Sequence, residues 1–139
     1  MKQSGIARID GLFRAYVCFI GHCNHRSGSR AFQANIDILL NEGADVVAWD
    51  PLGVDNFKSC YPECKIKFAS DIDEALTDAD VCFIMTEWVQ IVEYPLDNYK
   101  KYMKKPLVFD GRNCYRLSDV EKSEMFYDSI GRRIVDTLL

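Results

Sequence analysis

Val81-Cys82-Phe83-Ile84-Met85, followed at once by Thr86-Glu87-Trp88, decides how this chain reads. Five consecutive apolar residues without polar alternation mark a strand buried on both faces, the habit of strands in parallel sheets. The polar break falls at the strand's C-terminal end. The arrangement recurs in both directions along the chain. Ala15–Ile20 runs into Gly21, Asp45–Trp49 into the turn Asp50-Pro51-Leu52-Gly53, and Lys65–Ala69 into Ser70-Asp71. Downstream, Pro106 opens Leu107–Phe109, and Phe126–Ile130 is a last strand.

Helical signals separate these strands. Phe32, Ile36, Leu39 and Leu40 fall on one helical face, and Gly43 suits the position just past the helix end. Ser70 or Asp71 can cap a helix running through Leu76, with Glu74 three residues after Asp71 as in a capping box. Leu96–Met103 reads as a helix, and Asp119–Glu124 as a short one after Ser118. Residues 54–64 read as an irregular excursion. Residues 1–14 read as a lead-in segment and 15–139 as one domain, without repeats, low-complexity tracts or linkers. Strand and helix alternate throughout, so the expected fold is α/β. It is a Rossmann-like three-layer sandwich around a mostly parallel sheet of five or six strands. Ligands in such folds bind outside the carboxyl ends of the strands. That singles out residues 21–30, 50–53, 86–88 and 110–113.

The totals narrow the function classes. The 139 residues suit one domain, and 48% hydrophobic content supplies a core. A net charge of −4 argues against a general nucleic-acid binder. No segment reaches the roughly 18 consecutive apolar residues of a membrane span. The start, Met1-Lys2-Gln3-Ser4-Gly5, does not read as a signal peptide, so a cytoplasmic location is expected. Of the six cysteines, Cys18 and Cys82 lie in apolar runs and read as core residues, whereas Cys60 and Cys64 lie in a polar stretch where a thiol can react. Disulfides are not expected.

Three post-strand positions carry a recognisable set: Trp49-Asp50-Pro51, Thr86-Glu87-Trp88 and Phe109-Asp110-Gly111-Arg112-Asn113. In order and spacing they resemble the Y-D-P, T-E-W and F-D-G-R-N motifs of the UDP-binding domain in UDP-glucose/GDP-mannose dehydrogenases. Glu42-Gly43-Ala44-Asp45-Val46 is similar to that family's E-G-A-x-V, and Ile130-Gly131 to its closing I-G. The resemblance covers roughly residues 15–133. It implies a UDP-sugar ligand, with Arg112 helping to hold it. A guanidinium can pair bidentately with phosphate, and Gly111 lets backbone approach a ligand. Read from the residues alone, Arg112 can instead pair with Asp110 or Asp50. Glu87 can close the cleft or cap the segment that follows. Trp88 is expected to pack over the strand ends, and Asp50 to build a structural turn.

The loop after the first strand departs from the family pattern. The family reads like G-x-A-F-K-x-x-T-x-D-x-R-x-S-P there, while this chain has Gly21-His22-Cys23-Asn24-His25-Arg26-Ser27-Gly28-Ser29-Arg30. It is shorter and has no Phe-Lys, which leaves Arg26 and Arg30 as the candidates for positive charge. The resemblance also implies a parent enzyme that oxidises the sugar 6-hydroxyl to a carboxylate with NAD. Neither its G-x-G-x-x-G fingerprint nor its Gly-Gly-x-Cys nucleophile occurs here. The domain is therefore expected to bind no cofactor itself and to be non-catalytic alone, partnered by N-terminal dehydrogenase domains or by copies of itself. The alternative function is a degenerate domain serving assembly or regulation.

Two other constellations compete. His22, Cys23, His25, Cys60 and Cys64 are zinc-ligand types on two loops that the fold can bring together, although His-Cys-x-His is not a usual pair and no metal is the expectation. The amphipathic tail from Arg132 to Leu139, with Tyr94, Tyr99 and Tyr102 as candidate surface anchors, fits an interaction module. The tail can equally pack on its own domain.

Overall fold

A computed structural model describes residues 16–20, 28–52, 54–60, 62–63 and 65–138. The strands are β1 (Tyr16–Ile20), β2 (Asp45–Trp49), β3 (Lys67–Phe68), β4 (Val81–Ile84), β5 (Leu107–Asp110), β6 (Phe126–Ser129) and β7 (Val135–Asp136). They form one sheet in the order β3-β2-β1-β4-β5-β6-β7. β1 to β6 are mutually parallel, and only β7 runs antiparallel, against β6. The six parallel strands are those expected from the sequence, and β7 is additional. The chain reverses its direction of travel across the sheet between β1 and β4, which puts the topological switch point beside the end of β4.

Helices cover both faces. On one, α3 (Ile72–Leu76), α4 (Val89–Val92), α5 (Asp97–Tyr102) and α6 (Leu117–Val120) supply Leu76, Ile91, Tyr99 and Val120 to a core shared with Val47, Trp49, Cys82, Ile84, Val108 and Tyr127. On the other, Ile36 of α1 (Gly28–Asn41) packs with Val46 and Ala48. Lys58 of α2 (Val54–Cys60) lies over the ring of Phe68 on that side, 5.5 Å from its centroid. β4, β5 and β6 each alternate between fully and partly buried residues, so the α3–α6 face is the tighter one.

Local signals explain most boundaries. Gly43 ends α1 with φ +86°, a conformation an L side chain resists. Asp71 caps α3 by accepting from the Glu74 N–H at 2.7 Å, and Glu74 reaches back to the Ser70 N–H and hydroxyl at 2.7 and 2.6 Å. Those two bonds hold the exposed Glu74 carboxyl below its ordinary pKa, the hydroxyl bond more strongly than the backbone one.

Three expectations need correction. Residues 54–60 form α2 rather than irregular chain. The helix expected over Asp119–Glu124 is α6, two residues earlier at Leu117–Val120. Tyr99 is no surface anchor: it is fully buried, and its hydroxyl meets that of Tyr115 at 2.7 Å. Tyr94 and Tyr102 are half-buried, and Tyr94 donates to Asp73 at 2.6 Å. The tail packs on its own domain, with Val135 buried in β7. The Thr137 N–H donates to the Met125 carbonyl at 3.1 Å.

Candidate functional site

The carboxyl ends of β4 and β5 bring two of the singled-out segments together. The strands pair in register, Ile84 opposite Asp110, and the backbone bond continues past them: the Gly111 N–H donates to the Ile84 carbonyl at 2.8 Å. A Cβ on Gly111 would stand 3.3 Å from that carbonyl. The close approach that requires glycine here is therefore to the neighbouring strand. Next in the chain, the half-buried Cys114 thiol donates to the Thr86 carbonyl at 3.6 Å. Burial and the nearby Asp110 carboxylate push the Cys114 pKa up to about 12, so this thiol stays protonated and is a poor nucleophile.

Asp110 organises the turn. Only 2% exposed, its carboxylate accepts from the Arg112 N–H at 2.8 Å, the Cys114 N–H at 2.7 Å and the Tyr127 hydroxyl at 2.5 Å. Burial, aided by that bond to Asp110, raises the Tyr127 pKa far above its ordinary value. Arg132 fixes the tyrosine from the other side. Its guanidinium donates to the Tyr127 hydroxyl at 3.0 Å and to the Tyr115 carbonyl and Ser129 hydroxyl, both at 2.9 Å. Asn113 closes the turn in the left-handed region, at φ +54°. Its amide clasps the backbone of Ile130, donating to the carbonyl at 3.0 Å and accepting from the N–H at 2.9 Å. The whole Asp110–Cys114 turn is thus pinned to β6 and to the loop that follows it.

What the pinned turn presents to solvent is Arg112. Its guanidinium is paired with neither Asp110 nor Asp50 but with Glu87, NH2 to Oε1 at 2.6 Å. Both side chains remain open, 50% exposed for Arg112 and 61% for Glu87. The hydrogen bond and charge of Glu87 raise the Arg112 pKa further. Capping of α4 by Glu87 is not what occurs: the N-cap is Trp88, which makes no side-chain cap bond. Trp88 packs, half-buried, against the main core, as expected. Asp50 builds its structural turn, accepting from the Leu52 N–H at 2.9 Å.

Arg26, His22, Cys23, His25 and Cys64 lie outside the described residues, and only the backbone is described at Arg30 (in α1) and Cys60 (in α2). Among the described residues no three His, Cys, Asp or Glu side chains are grouped to hold a metal ion. The sequence reading missed a cleft of about 340 Å³ beyond the ends of β2 and β3, lined by Trp49, Ser70, Asp73, Gln90 and Tyr94. It missed as well the supporting roles of Tyr127 and Arg132. The only hint of them in the sequence is an arginine just past the Ile130-Gly131 that follows the last parallel strand.

The sequence pattern of the UDP-glucose/GDP-mannose dehydrogenase family, UDP binding domain, matches residues 18–117. The chain belongs to this family. Among curated members, it is 37% identical over 99 residues to the UDP-glucose 6-dehydrogenase YwqF of Bacillus subtilis and 33% over 100 residues to the UDP-glucose 6-dehydrogenase TuaD of the same organism. It is also 37% identical over 99 residues to the UDP-glucose 6-dehydrogenase of Rhizobium meliloti. These alignments cover 71–72% of this chain but only 22% of each relative. The UDP-binding domain of this family is therefore the part to which the present chain corresponds. Arg112, Glu87 and the Asp110 turn all fall inside the matched span.

Proposed function

We propose that this UDP-binding domain holds the diphosphate of a UDP-sugar at the carboxyl ends of β4 and β5, with Arg112 as the anchor. The observation that carries the reading is the Arg112 guanidinium itself. It is half-exposed, beside the sheet's switch point, on a turn whose other polar side chains, Asp110, Asn113 and Cys114, are engaged within the fold. A guanidinium so placed offers planar, permanently charged donors to phosphate oxygens. Gly111 keeps the turn low against β4, and Arg26 and Arg30, which follow β1 in the sequence, add positive charge. Glu87 borders the same spot. The domain acts within an NAD-dependent UDP-sugar 6-dehydrogenase, of which it is neither the NAD-binding nor the catalytic part. The location is the cytoplasm.

A second reading has its own support. Leu52, Val89 and Ile130, all exposed, follow β2, β4 and β6 at the same edge, and they suit an assembly role. Calorimetric titration of UDP and UDP-glucose into the chain separates the two. The binding reading expects measurable affinity and at least a tenfold loss in Arg112→Ala. Its melting temperature should stay near that of the unmodified chain, because an exposed ion pair contributes about 0–1 kcal/mol. No heat at millimolar ligand, with Arg112→Ala behaving identically, would leave only assembly.

A further inference from the structure

Arg112 and Arg132 lie on neighbouring turns, yet their partners differ in kind. Arg132 is locked by three acceptors inside the fold. Arg112 meets one exposed carboxylate, which is fixed beside it by the backbone pairing of β4 with β5 and by the Cys114–Thr86 contact. That carboxylate is a planar anion with oxygens spaced to fit a guanidinium, as phosphate oxygens do. From this geometry we infer that Glu87 is an internal competitor for the phosphate on Arg112 and so sets the specificity of the anion site. The inference rests on the phosphate-anchoring reading of Arg112.

The physical consequence is a threshold. An incoming phosphate must either displace the Glu87 carboxylate or sit beside it and be repelled. An exposed pair of this kind is weak enough to be displaced. A small free anion has only its own charge with which to do so. A diphosphate carried on a nucleoside and a sugar brings further contacts, and these offset the loss of the Glu87–Arg112 bond. Free pyrophosphate carries more negative charge than the diphosphate diester of a sugar nucleotide, so the neighbouring Glu87 carboxylate penalises it more and favours the intact sugar nucleotide, without contacting the sugar.

The experiment compares Glu87→Gln with Glu93→Gln, an exposed carboxylate on the same segment whose loss changes net charge equally. Each is titrated with inorganic pyrophosphate and with UDP at low and moderate salt. Glu87→Gln should tighten both ligands, by about two- to fivefold, with the larger gain for pyrophosphate and the gain shrinking as salt rises. Glu93→Gln should change neither by as much as twofold. In an Arg112→Ala background the gain from Glu87→Gln should vanish, since the coupling runs through that guanidinium. If UDP binds and Arg112→Ala abolishes binding, yet Glu87→Gln leaves affinity unchanged or weaker, the competitor role is wrong and the anchor survives. If neither the unmodified chain nor Glu87→Gln binds UDP or pyrophosphate, the anchor falls and the competitor with it.

Discussion

The turns after β2 and β5 begin alike and end differently. Each opens with a buried aspartate, Asp50 or Asp110, whose carboxylate accepts the backbone N–H two residues on, at 2.9 and 2.8 Å. This is the ordinary way an aspartate closes a turn. Two residues past the aspartate the first turn presents Leu52, 71% exposed, and the second presents Arg112. The second is also bound across the sheet, through Tyr127 to Arg132 and through Asn113 to Ile130. Local chemistry can shape a strand-end turn by itself. Holding a charged side chain at a fixed place takes partners from another strand.

The largest expected effect tests that dependence. Asp110→Ala strands two backbone N–H groups and the Tyr127 hydroxyl, and it should cost about 3 kcal/mol, given about 1–3 kcal/mol for each buried group left unsatisfied. Urea denaturation measures it as a fall in midpoint at constant slope. A loss below about 1 kcal/mol would mean that the cross-sheet bonds contribute little beyond the local turn.

Asn113 divides the second turn's conformation from its clasp. Asn113→Gly keeps access to φ +54° but gives up both bonds to Ile130, for an expected loss of about 1 kcal/mol. Asn113→Ala gives up the same bonds and adds strain in the left-handed region, for about 2 kcal/mol in all. Equal losses in the two variants would show that the backbone conformation there is not under strain.

The smallest effect belongs to the turn after β3, where Glu74 holds Ser70 at the surface. The folded-state pKa of Glu74 is depressed, so its contribution is present above the ordinary value near 4.5 and is lost as pH falls through the folded pKa. Stability measured from pH 6 down to pH 3 should decline slightly less in Glu74→Gln than in the unmodified chain. Identical slopes would mean that the bonds to Ser70 do not favour the charged carboxylate.

The sequence made the parallel sheet readable because β2, β4 and β5 are continuous apolar runs whose meaning does not depend on their neighbours. It also located the ends of β4 and β5 as the edge to examine. α2 was hidden because Val54-Asp55-Asn56-Phe57-Lys58-Ser59-Cys60 has too few apolar positions to show a period, and Asn and Ser are indifferent helix formers. β7 was hidden because two residues carry no pattern, and pairing with β6 alone defines it. The partner of Arg112 reads from the sequence as an aspartate at the end of its own or another strand. It proved to be Glu87, 25 residues away, because β4 lies next to β5 in space. The Tyr127–Arg132 support was illegible for the same reason. A tyrosine and an arginine at a strand end acquire a role only when a buried carboxylate is brought between strands.

The two outermost strands of the sheet, β3 and β7, are each two residues long. An exposed, long, flat edge invites another chain to add itself as the next strand, the first step towards aggregation. Among the described residues, each end of the sheet offers little backbone for such templating. On the β7 side the next N–H groups are already engaged, Thr137 to Met125 at 3.1 Å and Leu138 to the Asp136 carboxylate at 3.1 Å. The strand that no periodicity revealed thus serves as a terminator: it lets a seven-stranded sheet stop growing in a protein whose core strands are among the stickiest sequences it contains.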